Sequence, residues 1–125
     1  MKQVDTIVLV KDIEKTREFY TRHFHLEILH DWKTMIVFKN RLAFHQVDKL
    51  FPQEELAAHL EFNSMGRGNV VIYLETENLE ESLEYVKRNG IEVIHGIVTF
   101  PWNKDRIIRV KDPDGYIVEI GQIAH

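Results

Sequence analysis

IEVIH, residues 91–95, reads as a second copy of LEILH, residues 26–30, set 65 positions later (26 to 91). NLEES (78–82) follows DIEKT (12–16) at a spacing of 66. A period this long exceeds that of stacked solenoid repeats, so it predicts two similar modules side by side.

Working outward from the first copy, Val4 to Val10 is a β-branched run that stops at Lys11-Asp12. Asp12 suits a helix N-cap, and Ile13, Thr16/Arg17, Tyr20 and Phe24 then recur at helical spacing. LEILH, TMIVFK (34–39) and RLAFHQV (41–47) follow as three short strands, giving the order βαβββ. The second copy has the same surroundings. Asn69 to Glu75 reads as a strand, and Asn78 as an N-cap with Glu81 as its capping-box partner. Leu79, Leu83 and Val86 form the buried stripe of the helix, and RIIRV (106–110) and YIVEI (116–120) close the module. Gly90 suits a left-handed helix end, and the repeat puts His25 in its place, where a cap is expected rather than a ligand.

The domain organisation expected is therefore one domain over 1–125, with module 1 at about 4–47, a connector at 48–67 and module 2 at about 68–123. Within the connector, PQEELAAHL (52–60) reads as a short helix opening at Pro52, and NSMGRG (63–68) as a turn. At 125 residues the chain can bury a core without staples, and it has no cysteine, which removes disulfide and thiolate chemistry and favours a reducing, cytoplasmic compartment. The opening MKQVDTIVLVKD is too short and too charged for a signal peptide or membrane span. Sixteen basic and twenty acidic residues give a net charge of −4 spread along the chain, with no nucleic-acid or membrane partner indicated.

The last strand carries a further signal. In DPDGYIVEI (112–120) the turn is ordinary, with Pro presetting φ and Gly115 accepting a positive one. Alternation after it places Tyr116, Val118 and Ile120 on one face and Ile117, Glu119 and Gly121 on the other. A carboxylate in the middle of an apolar strand marks that second face as a place for a site.

Two βαβββ modules, the helix signature D-I-E-K-T-x-x-F-Y (12–20), FPW (100–102) and the closing D-P-D-G-x-x-x-E (112–119) together resemble the vicinal oxygen chelate superfamily, the glyoxalase, bleomycin-resistance and extradiol-dioxygenase group. The resemblance spans roughly residues 4 to 122. It implies an α+β fold in which two βαβββ modules form curled mixed sheets around a cleft, and a homodimer. It also implies a small-molecule ligand or substrate and, in metal-dependent members, a divalent ion held by the first and last strands of each module.

Carried onto this sequence, the resemblance puts Glu119 at the last-strand ligand position, as metal ligand and catalytic carboxylate. Asp5 stands at the first-strand position of module 1, or Thr6 in another register. Asn69 or Val71 stands at that of module 2. The last strand of module 1 offers His45, or Phe44 after a one-residue slip. Asp5, His45 and Glu119, with Asn69 as a weak fourth, would suit Mn, Fe, Co or Ni better than a closed zinc site, with Zn retained among the ions to test. Trp32, Phe100 and Trp102 fall in matching loops where aromatic rims could stack on a ligand, and Arg106, with Arg109 and Lys104, adds a basic element there. His30 and His95 read as strand-end surface residues, His23 as part of a charged helix face, His59 as solvated, and His125 as terminal.

Two functions follow. The first is a divalent-metal-assisted enzyme acting on a small molecule with adjacent oxygens, by isomerase, lyase, dioxygenase or transferase chemistry; Glu119 and His45 favour it. The other is a metal-free protein that binds an antibiotic-like or aromatic ligand, favoured by the missing histidines on both first strands.

Overall fold

The computed structural model describes residues 1–123 and divides into two compact units, Met1–Met65 and Gly66 onward. The first unit runs β1 (Thr6–Val10), α1 (Ile13–Phe24), β2 (Ile28–Asp31), β3 (Met35–Phe38) and β4 (Leu42–Gln46), then two short 3₁₀ turns flanking α2 (Gln53–Leu56). The second runs β5 (Val71–Glu75), α3 (Leu79–Arg88), β6 (Val93–Thr99), β7 (Arg106–Lys111) and β8 (Ile117–Gln122). Each unit is an open four-stranded mixed sheet, ordered β1-β4-β3-β2 and β5-β8-β7-β6. The first and last strand of each unit pair in parallel, and the other pairs are antiparallel. The βαβββ order and its duplication are thus present in both units.

Each helix packs on one face of its own sheet. In unit 1 Tyr20 is fully buried and stacks on Phe44 with ring centroids 4.8 Å apart, while Phe38 meets Phe44 edge-on at 6.1 Å. The core of unit 2 is aliphatic, built from Leu79, Val86, Ile108, Val110, Val118 and Ile120. Burial of each such side chain contributes about 1.5–3 kcal/mol, which is what holds a helix of ten or twelve residues on its sheet.

The helix ends show why the repeat is so literal. Asp12 accepts from the backbone N–H groups of Glu14 (3.0 Å) and Lys15 (3.4 Å), and Asn78 from that of Glu81 (3.1 Å). The expected capping box is only half formed, because the Asn78 N–H donates to Thr76 Oγ1 at 3.3 Å. The first N–H of each helix goes to a glutamine at the end of its module's last strand: Ile13 N donates to Gln46 Oε1 (3.1 Å) and Leu79 N to Gln122 Oε1 (3.0 Å). These glutamines satisfy orphan donors and fix how each helix sits on its sheet. At the other end His25 (φ 55°) and Gly90 (φ 71°) both adopt the left-handed conformation, as the repeat predicts.

Several boundaries differ from the sequence expectation. Strand β5 starts at Val71 rather than Asn69, β2 begins at Ile28 and extends to Asp31, and β6 runs on to Thr99. The helix expected over 52–60 is a single α-turn, Gln53–Leu56, that tightens into 3₁₀ at Ala57–His59, since no buried stripe supports more.

Unit 1 has one well-made surface latch. Arg17 donates from Nε and Nη2 to both carboxylate oxygens of Asp31 (3.0 and 2.9 Å) and from Nη2 to the Lys33 carbonyl (2.9 Å). These hydrogen bonds, with that from the Lys33 N–H, hold the Asp31 carboxyl below its ordinary range. A depressed folded-state value contributes stability above the unfolded pKa of about 3.9, which is lost as pH falls through the folded value. Asp31→Asn is therefore expected to lower the unfolding free energy measured in urea by about 0.5 kcal/mol at pH 7, given the exposure of the pair, and by less at pH 3. An equal loss at both pH values would contradict the linkage.

Candidate functional site

Aligning the units by their helix caps, Asp12 with Asn78 and Gln46 with Gln122, makes their sheets comparable residue by residue. On the face away from α3, one rung of the second sheet crosses all four strands: Tyr73 pairs with Glu119, Glu119 with Arg109, and Arg109 with His95. The matching rung of the first sheet is Ile7, Ala43, Val37 and His30. Only the histidine is common to both. A phenol, a carboxylate and a guanidinium stand in unit 2 where unit 1 has three apolar side chains, so polar chemistry is concentrated on the second sheet.

These side chains are connected. Glu119 Oε1 accepts from Arg109 Nε at 2.9 Å, with the carboxylate side chain 16% exposed and that of the arginine 33%. Arg109 Nη1 lies 3.2 Å from His95 Nε2. The guanidinium stands 5.9 Å from the centroid of Phe100, which stacks on Trp102 at 4.5 Å. Trp102 is 72% exposed. The Tyr73 ring covers Gly121, where a Cβ would stand 2.6 Å from the phenol oxygen. Shielding of the phenol from water, followed by the negative charges of Glu75, Asp105 and Glu119, raises its pKa, so at neutral pH it remains a hydrogen-bond donor.

Other expected site residues lie elsewhere. Arg106 falls on the α3 side of its strand, where it is engaged by Glu80 (2.5 Å) and by Gln122 Oε1 (3.0 Å); Arg109, one alternation on, faces Glu119 instead. Asn69 is exposed ahead of β5. Trp32 stacks on His30 at 4.9 Å, within unit 1. His45 corresponds to Gly121, one rung beyond the counterpart of Glu119; its Nε2 is buried with no hydrogen-bond partner. Asp5 Oδ1 lies 3.5 Å from the Arg41 guanidinium and, like His45 Nε2, is buried with no hydrogen-bond partner. His45 lies four residues along β4 from Arg41, about 13 Å at strand rise, so Asp5 and His45 are at opposite ends of the β1–β4 pair. His125 lies outside the described residues. His95, read from the sequence as a surface residue, belongs to the rung.

Within unit 2, a divalent ion does not fit beside Glu119 as that side chain stands. Glu119 already accepts from a permanent cation, Asp5 and His45 are separated along their strands, and among the described residues no three His, Asp or Glu side chains come together to hold a metal.

The glyoxalase-like domain family matches residues 3–124. The chain belongs to that family. It is also 28% identical over 126 aligned positions to the lactoylglutathione lyase of Salmonella typhimurium, covering 96% of this chain and 91% of the relative. Among solved structures, a protein of unknown function from Agrobacterium tumefaciens superposes with a TM-score of 0.83 at 27% identity, covering 99% of this chain and 95% of the other. The fosfomycin resistance protein FosX of Listeria monocytogenes gives 0.72 at 17% identity, with 99% and 94% covered. These likenesses establish the fold of the vicinal oxygen chelate superfamily; what this glyoxalase-like chain does depends on its own rung of side chains. Among the described residues, no helix is long and apolar enough to cross a membrane.

Proposed function

We propose that this glyoxalase-like protein binds a small aromatic molecule on the open face of its second sheet without a resident metal. The observation that carries the reading is the Glu119–Arg109 pair beneath an exposed aromatic stack. Phe100 and Trp102 offer a flat surface for stacking. Arg109, fixed by Glu119 and His95, keeps Nη2 free of protein partners among the described residues, and the Tyr73 hydroxyl is a second donor. Because the Arg109 charge is offset by Glu119 and the surrounding acids are Glu75 and Asp105, the favoured ligand presents neutral oxygen acceptors rather than a strong negative charge.

The test is a thermal-shift screen of planar aromatic compounds with and without chelator. Stabilisation that persists in chelator and disappears in Trp102→Ala is the expected result; stabilisation that requires added metal would overturn the reading. Light scattering of the same samples is expected to give a homodimer. A second reading, a divalent-metal-assisted enzyme on a substrate with adjacent oxygens, is favoured by the unpartnered Nε2 of His45. It requires stoichiometric metal that is lost in Glu119→Ala and His45→Ala.

A further inference from the structure

We infer that Arg109 is a built-in cation that closes a latent two-ligand metal site formed by Glu119 and His95. The inference rests on the metal-independent reading above and extends it by naming what excludes the ion.

The ring state of His95 follows from its neighbours. A guanidinium can only donate, so Nε2, 3.2 Å from Arg109 Nη1, presents a lone pair. Nδ1 then carries the proton and donates to the Gly96 carbonyl at 2.7 Å. That is how a metal-binding imidazole is held, with one nitrogen presenting its lone pair and the other anchored to backbone. Glu119 directs Oε1 at the Nε of the same guanidinium at 2.9 Å. Two good ligands for a borderline divalent ion therefore converge on one group, from strands on either side of β7.

The field supports the same conclusion. Glu75 and Glu119, on the same face of the paired strands β5 and β8, make this face favourable to positive charge. Arg109 supplies that charge permanently, and its Cζ lies over the Phe100 ring, 5.9 Å from the centroid, a cation–π contact that favours its staying. With the guanidinium in place an incoming dication meets a like charge and finds both ligands engaged. Without it, the imidazole tautomer and the acidic surroundings are already in place.

Titration of the tag-free full chain with Co²⁺ alone, read by visible absorption and calorimetry, tests this. Wild type is expected to show no saturable uptake dependent on Glu119. Arg109→Ala is expected to bind one Co²⁺ per chain at least about tenfold more tightly, a gain removed by adding either His95→Ala or Glu119→Gln. Arg109→Met, which keeps the aliphatic stem, replaces Arg109→Ala if circular dichroism shows the latter unfolded. A folded Arg109 variant with no gain, or a gain that survives both second substitutions, overturns the inference. So does Glu119-dependent metal uptake by wild type. Gain in the Arg109 variant alone upholds it even if no aromatic compound stabilises the protein, whereas Glu119-dependent uptake by wild type removes both readings.

Discussion

Gly66→Ala is expected to destabilise the protein by about 3 kcal/mol, lowering the melting temperature by about 10 °C. Gly66 has φ +63°, and a Cβ there would lie 2.5 Å from the carbonyl carbon of Gly115 and 2.7 Å from the amide nitrogen of Tyr116. These obstacles, with the still nearer carbonyl oxygen of Asp114, are all backbone, in a turn fixed from within. The Asp112 carboxylate accepts from the N–H groups of Asp114 and Tyr116, each at 2.9 Å, so the turn cannot yield without breaking its own hydrogen bonds. Gly68, two residues on at φ +78° with nothing within 4 Å of a built Cβ, isolates the conformational part of the cost. Gly68→Ala should lose only about 1 kcal/mol. If urea denaturation finds the two variants equally destabilised, the close approach of residue 66 to the turn is not what holds this segment.

That turn also explains what could be read from the sequence and what could not. The duplicated modules were legible because helix caps, strand alternation and the 65-residue period are local signals that agree. The Glu119–Arg109 pair was within reach. The Asp112–Gly115 turn folds β7 back on β8 in simple antiparallel register, so Val110 pairs with Val118, and the carboxylate at 119 must face residue 109 rather than Arg106. His95 was not within reach. Register shifts on both sides of it, between Val93 and His95 and between His95 and Val98, break the count from the neighbouring strand. The glutamine caps were missed for another reason: Gln46 and Gln122 are 33 and 43 residues from the helix starts they satisfy, and capping rules consult only adjacent sequence. Asp5, His45 and Glu119 are legible as single strand positions, but a single position does not name its partner on the neighbouring strand. The side chain across the strand, Arg109, is what decides the chemistry available to Glu119.

Gly121→Ala should have the opposite profile to Gly66→Ala, with the fold kept and the site lost. Its Cβ would stand 2.6 Å from the Tyr73 hydroxyl oxygen and 2.8 Å from a ring carbon, so something must move. Here the obstacle is the far end of a side chain that is 44% exposed at the residue level, and it can swing away at little cost. The φ of Gly121 needs no glycine, and the loss of unfolded-state freedom offsets part of any strain, so the melting temperature should stay within about 3 °C of wild type. Swinging Tyr73 off Gly121 hydrates the phenol and takes it from the acidic neighbours that raise its pKa. Alkaline difference spectra should therefore show one tyrosine titrating at lower pH than in wild type. The aromatic ligand that stabilises wild type should bind about tenfold more weakly, because a fixed donor has been replaced by one that must be reordered on binding. In unit 1 the same position is His45, facing Leu9 on the parallel strand where unit 2 has Glu75; the counterpart of Tyr73 there is Ile7, which carries no ring. Unchanged tyrosine titration in Gly121→Ala would mean that Tyr73 does not depend on the glycine for its place. Unchanged ligand affinity alongside a shifted titration would remove Tyr73 from the site and leave Arg109 with the aromatic stack as its whole recognition surface.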